Sequence, residues 1–202
     1  MTEEHYYTAD PTSAHGRHSF DATLRGIPFR FVTDASVFSK ERVDFGSQTL
    51  IDTVSPADWP DGAVLDVGCG YGPIGLTIAA LAPRRQVDMV DVNERALGLA
   101  VENAAANRIR NVHVFSSNVY AATPGRYAAI VTNPPIRAGK DVVNAILDGA
   151  REHLVEGGHI LVVIQKKQGA PSAKKRLTAA LGNCTVLKHN KGYQVLDSVL
   201  IR

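Results

Sequence analysis

Apolar and polar residues alternate through SFDATLRG and again through IPFRFVT, with Arg25 and Gly26 between the two runs. A period of two marks strands buried on one face, so the pair predicts a β-hairpin. SQTLIDTV follows with helical spacing and predicts a short helix capped near Ser47, and SPADWPDG then reads as a turn-rich linker. Beyond it, AVLDVG, QVDMVDV, NVHVFSS, YAAIVTN and HILVVIQ are strand-like runs, most of them apolar on both faces. Between them GPIGLTIAALA, ERALGLAVENAAAN and KDVVNAILDGAREHL carry the helical period. Such alternation predicts a parallel sheet covered on both faces. The rhythm changes at the end: PSAKKRLTAALG is a further helix, and CTVLKHN and YQVLDSVLIR are two strands turned at Lys191 and Gly192. The expected fold is therefore α/β, a doubly wound, mostly parallel seven-stranded sheet with a terminal antiparallel hairpin and a short N-terminal β-hairpin extension.

A chain of 202 residues with 45% hydrophobic content supports one sizeable core. The expected organisation is an extension over residues 1–59, packed on the core, and a main domain over 60–202. No apolar run approaches the ~20 residues that a membrane helix needs, and the first twenty residues are polar, so the expectation is a soluble, cytoplasmic protein with no membrane partner. Cys69 and Cys184 stand in no metal or disulfide spacing and read as reduced packing residues. Of the seven histidines only His15 and His18 are close in sequence, and no metal is expected.

Charge changes the picture in the last third. Residues 1–136 hold 11 Lys or Arg against 15 Asp or Glu, whereas residues 137–202 hold 11 against 5. That basic third is either a lysine-rich wet surface or the place where a polyanion binds.

Candidate chemistry follows the strand ends, because an open α/β sheet binds ligands beyond its carboxyl edge. VLDVGCGYGPIG sets Gly68, Gly70 and Gly72 between a buried strand and a helix, where glycines permit a tight turn and let a nucleoside lie against the backbone. Asp91 ends the next strand, about twenty residues on, where a carboxylate accepts bonds from ribose hydroxyls; its alternative role is to cap the helix from Glu94. Asn118 meets an adenine edge or simply makes a turn. Asp66 holds the cofactor's amino group or braces the glycine loop. The fourth strand runs into Asn133, Pro134 and Pro135, which is odd for a buried strand, since proline cannot donate to a ladder.

VLDVGCGYG, an acid ending the second strand, NPPI ending the fourth and the terminal hairpin together resemble the class I S-adenosylmethionine-dependent methyltransferases, which have a Rossmann-like sheet. More closely, VFSKERVDFGSQTL, the glycine loop, NPPIRAGK and LVVIQKKQGA are similar to the methyltransferase small domain family, whose characterised relatives include ribosomal RNA guanine methyltransferases. The resemblance implies S-adenosylmethionine as cofactor. It also gives Phe45, Gly46 and Ser47 a role near the cofactor's methionine end, the alternative being an ordinary helix entry. Full-length guanine-N2 relatives carry a duplicated N-terminal domain that this sequence does not show, which leaves recognition to a smaller surface or a partner.

The prolines then make chemical sense. A conjugated exocyclic amine is a poor nucleophile, and two acceptors, the Asn133 side-chain oxygen and the Pro134 carbonyl, would bind its hydrogens and aim its nitrogen. Many amine methyltransferases have an aromatic residue where Ile136 stands, and isoleucine offers no π face. The acceptor pair favours guanine N2; N7 remains possible, and so does a glutamine amide of a protein. Arg137 and Lys140 near a helix start, where the dipole disfavours cations, and Lys166 and Lys167 after the fifth strand suggest phosphate contacts and hence RNA, most plausibly ribosomal RNA or a ribosomal subunit. The two lysines alternatively snorkel at a strand end. The expected activity is methyl transfer to a guanine of RNA, with a protein glutamine methyltransferase or a non-catalytic cofactor-binding RNA module as alternatives; the oligomeric state stays open.

Overall fold

A computed structural model describes residues 16–34 and 42–201, with the backbone alone at Arg137. His15 and the first part of VFSKERV, through residue 41, lie outside the described residues. β1 (His18–Leu24) and β2 (Ile27–Thr33) form an antiparallel ribbon. Its turn is carried by Arg25 and Gly26 at φ +51° and +78°, the left-handed pair that matches the twist of the strands.

The helix expected after the hairpin is α1 (Phe45–Ile51), and its cap is Asp44, not Ser47. The Asp44 carboxylate accepts the N–H groups of Gly46 and Ser47 at 2.9 and 3.0 Å. One charged oxygen thereby satisfies two orphan donors and complements the positive end of the helix, which starts the helix two residues ahead of the serine. The following linker is not loose: Trp59 is buried, and the Arg85 guanidinium donates to the carbonyls of Trp59, Pro60 and Gly62.

The main sheet comprises β3 (Val64–Val67), β4 (Val87–Asp91), β5 (Val112–Ser116), β6 (Tyr127–Thr132), β7 (Leu154–Gln165), β8 (Thr185–Asn190) and β9 (Tyr193–Val199). Their order is β5-β4-β3-β6-β7-β9-β8, parallel through β7 and antiparallel in the last two. The interleaved helices are α2 (Pro73–Leu81), α3 (Glu94–Ala106), α4 (Lys140–His153) and α5 (Ala170–Leu181). β7 begins at Leu154, ahead of HILVVIQ, because Leu154 pairs with Tyr127 before a register shift to the Ala129 and His159 pair. The glycines at 157 and 158 hide that early segment from a reading by periodicity.

Strand parity divides the core. Val64, Met89, Ala129, Val131, Leu161 and Val163 pack with α1, α2 and α3, whereas Leu65, Val90, Ile130, Ile160, Val162 and Ile164 pack with α4 and α5. Alternate residues of one strand thus feed opposite layers, which is why these strands read as apolar on both faces. Leu24, Phe29 and Phe31 of the ribbon are buried in the first of these clusters, each burial stabilising by roughly 1.5–3 kcal/mol.

Asn103 of α3 and Asn107, the C-cap one turn later, fasten the ribbon. Asn103 accepts from the Val32 N–H at 2.7 Å and donates to the Val32 carbonyl at 3.0 Å; Asn107 does the same for Arg30 at 2.9 and 2.8 Å. Four helical residues rise about 6 Å and two strand residues about 6.6 Å, so the spacings match. The edge of β2 is thereby covered without another strand. No helix among the described residues is long and apolar enough to cross a membrane.

Candidate functional site

Chain order reverses between β3 and β6, since β4 and β5 lie to one side of β3 and β6 to the other. A cleft of about 530 Å³ opens at that switch point, within the usual size of a small-ligand site. Its rim follows the sheet: Ser117 and Asn118 after β5, Asp91 at the end of β4, the glycine loop after β3, Asn133 to Ile136 after β6, and Gln165 and Gln168 around the end of β7. Tyr193 completes it, because antiparallel β9 starts where β7 ends.

The glycine loop divides into two functions. Gly68 and Gly70 line the cleft, and Gly70, at φ +57°, has open space where a Cβ would stand. Gly72 does not line it; a Cβ there would lie 2.9 Å from Met89 Cε, so its role is close packing of α2 on the sheet. Asp66 likewise stands behind the cleft. Its Oδ2 accepts from the Gly75 N–H at 2.8 Å, bracing the start of α2, and its Oδ1 has no hydrogen-bond partner among the described residues. Complete burial pushes its carboxyl up to about 7, against the opposing pull of the Gly75 bond.

Asp91 faces the cleft. One oxygen accepts from the Gly70 N–H and the other from the Asn93 N–H, both at 3.0 Å, and burial raises its pKa despite these bonds. It does not cap α3: Asn93 does, accepting from the Ala96 N–H at 3.1 Å. Asn118 is an exposed lining residue.

At the other side, the Asn133 amide is held by its nitrogen, which donates to Asp44 Oδ1 and to Ser47 Oγ, each at 3.1 Å. Asp44 accepts only, so the NH₂ end must face α1 and the Asn133 carbonyl oxygen is left for the cleft. Ser47 lines the cleft; Gly46 does not, and a Cβ on it would stand 3.0 Å from Tyr193 Cε1 and 3.3 Å from the Asn133 nitrogen. Thr132 Oγ1 donates to the Val67 carbonyl at 2.8 Å, which fixes the end of β6 to β3. Pro134, Pro135 and Ile136 line the cleft.

Among the described residues, Lys140, Lys166 and Lys167 stand outside this lining. Lys140 is the exposed first residue of α4, where Asp141 in the same turn already complements the dipole. Lys166 and Lys167 are exposed in the 3₁₀ turn Lys166–Gln168 that follows β7. Arg176 is paired with Asp148, and Cys69 and Cys184 are free thiols. Among the described residues no cluster of three or more His, Cys, Asp or Glu is placed to hold a metal.

Sequence reading missed Asp44, whose position before a helix is a capping signal, and left Tyr193 unplaced. It also missed Tyr71, a lining residue whose buried hydroxyl has no partner among the described residues and whose pKa burial drives well above the phenol range. The open backbone at Gly70, the Asp91 carboxylate and this orphan hydroxyl together fit a nucleoside cofactor with polar groups at both ends.

A doubly wound sheet with glycine loop, acid and NPP segment meeting in one cleft defines a Rossmann-like methyltransferase. The methyltransferase small domain family profile matches residues 28–197, and the chain belongs to that family. It is 45% identical over 197 residues to the uncharacterised protein YbxB of Bacillus subtilis (strain 168), covering 96% of this chain and 98% of that one. It is 34% identical over 170 residues to ribosomal RNA small subunit methyltransferase C of Erwinia tasmaniensis, covering 82% of this chain and 48% of the relative. Among solved structures, the Thermus thermophilus 16S rRNA N2 G1207 methyltransferase RsmC, in complex with S-adenosylmethionine and guanosine, superposes with a TM-score of 0.83 at 26% identity, covering 96% of this chain and 52% of that one. The chain spans about half the length of these two ribosomal RNA methyltransferases.

Proposed function

We propose that this protein transfers the methyl group of S-adenosylmethionine to N2 of a guanine in ribosomal RNA. The observation that carries the reading is the fixed orientation of Asn133, whose nitrogen is occupied by Asp44 and Ser47. Its oxygen and the Pro134 carbonyl form an acceptor pair for the two hydrogens of an exocyclic amine. As positive charge develops on that nitrogen, both acceptors bind it more strongly, which lowers the barrier without rearrangement. Guanine N7 carries no hydrogen and has no use for such a pair. A binding module without turnover has no use for it either.

When bound, S-adenosylmethionine supplies an electrophilic methyl on a sulfonium centre. Gly68 and Gly70 would hold it through their backbone, Asp91 through the ribose hydroxyls, Asn118 at the adenine edge and Tyr71 through its free hydroxyl. Asp66 and Gly72 act behind the cleft by fixing the loop and α2. A glutamine amide would also satisfy the acceptor pair. RNA is favoured by the basic balance of residues 137–202 and by the ribosomal RNA named as target of the relatives.

The test supplies labelled cofactor and protein to free ribosomal RNA and to ribosomal subunits from a strain lacking the gene, followed by nuclease or protease. Label released by nuclease as N2-methylguanosine is expected. Protease-sensitive, nuclease-resistant label would refute the RNA reading, and 7-methylguanosine would refute the acceptor-pair chemistry.

A further inference from the structure

A base that reacts through its exocyclic amine must leave its helical stack, and an extruded base is held by edge hydrogen bonds and by flat contact with its face. Asn133 and Pro134 provide the edge, but Ile136 provides no π surface. We infer that Tyr193, backed by Phe45, is the stacking platform for the target guanine. This rests on the guanine reading above and adds where the base lies.

The geometry places the ring beside the acceptors. Tyr193 opens β9 and pairs with Gln165, the last residue of β7, so it stands on the carboxyl rim of the sheet and lines the same cleft as Asn133 and Ile136. Gly46 measures the proximity: the Tyr193 ring edge and the Asn133 amide nitrogen both approach within 3.3 Å of where its Cβ would be. Asp44 Oδ1 stands 3.1 Å from the same point, so phenol, carboxylate and amide converge there. Phe45 supports the phenol from outside, with ring centroids 5.7 Å apart and an interplanar angle of 55°, and is itself 36% exposed. Lys191 Nζ lies 5.3 Å from the Phe45 ring centroid. The wall therefore passes from a flat ring within the cleft to an exposed cation over Phe45, outside the lining, which suits a purine base followed by a phosphate.

The wall also explains two features of the chain. Gly46 is small because Tyr193 and Asn133 crowd it from two sides, and the terminal hairpin is tied to α1 by the bond from Asn190 Nδ2 to Thr49 Oγ1 at 3.4 Å. Platform and acceptors thus share one support, α1, although they come from β9 and β6.

The test titrates guanosine into protein saturated with S-adenosylhomocysteine and follows the guanosine H8 resonance. Wild-type protein should shift that resonance upfield by ring current. Tyr193→Leu should abolish the shift and weaken guanosine roughly five- to 150-fold, the range for losing one base–aromatic stack. Tyr193→Phe should restore both. S-adenosylhomocysteine affinity and melting temperature show that the variants are folded; if Tyr193→Leu is not, Tyr193→Gln replaces it at this half-exposed position. Unchanged guanosine affinity in folded Tyr193→Leu overturns the platform alone. Failure of wild-type protein to bind guanosine while binding S-adenosylhomocysteine overturns the guanine reading and the platform with it.

Discussion

Asp44 and Asn133 lie 89 positions apart in the chain and 3.1 Å apart in space. The same carboxylate oxygen caps α1 and, together with Ser47 Oγ, holds the Asn133 amide nitrogen, so the entry of a helix and the orientation of the proposed substrate acceptor share one atom. Asp44→Ala should slow methyl transfer at least roughly tenfold by freeing the amide to rotate, and cost about 0.5–2 kcal/mol of stability through the lost cap. Asp44→Asn keeps an acceptor oxygen and should retain most of the rate. Single-turnover kinetics at saturating cofactor, with thermal melts alongside, separate the two effects.

Asp91 lines the cleft, and its proposed role is to hold the cofactor's ribose. Asp91→Ala should weaken S-adenosylmethionine by roughly 1.5–3 kcal/mol, the loss of charge-assisted bonds to ribose, in a protein that remains folded. Calorimetric titration is the measurement, and wild-type affinity in the variant would remove Asp91 from the site.

Asp66 predicts a pH dependence. Its folded carboxyl lies near 7, against about 3.9 for an exposed aspartate. Between those values the native state keeps a proton that the unfolded state releases, so the Asp66 contribution falls as pH rises from about 4 to about 7 and is flat above. Asp66→Asn removes this dependence. Urea denaturation from pH 4 to 8 should show wild-type protein losing on the order of a few kcal/mol relative to the variant, and parallel curves would refute it.

The exposed lysines beyond β7 are tested by salt. If Lys166 and Lys167 each meet a phosphate, log affinity for RNA should fall less steeply with log salt in the double alanine variant, by roughly 0.7–0.9 per contact removed. An unchanged slope leaves the activity in place and removes these lysines from the RNA surface.

Period and breakers made most of the fold legible: both hairpins and the alternating strands and helices follow from local pattern, whereas the strand order that sets the cleft between β3 and β6 is fixed by long-range pairing. The glycine loop, Asp91 and NPP were legible because each abuts a strand end. What escaped depends on distant partners. Asp44 meets Asn133, and Tyr193 meets Phe45, across separations that leave no periodic trace. Of the two readings of Asp66, the structure favours a bracing one, its buried carboxylate accepting from the Gly75 N–H at the start of α2, and Gly72 belongs to the motif but packs against Met89 and Leu76 instead of lining the cleft. Ser47 resembled a cap because serine commonly is one, whereas an aspartate stood three residues earlier.

The asparagine clasp on β2 reaches further than the ribbon. Besides Val32, Asn103 donates to the carbonyl of Tyr71 at 2.9 Å, so one buried amide joins the ribbon, α3 and the glycine loop. A lone two-stranded ribbon is marginal in water and would exchange its amide protons freely. Here the Arg30 and Val32 amides should exchange only when α3 and the loop let go, and cofactor loading should slow them again, making the ribbon a remote reporter of whether the cleft is filled.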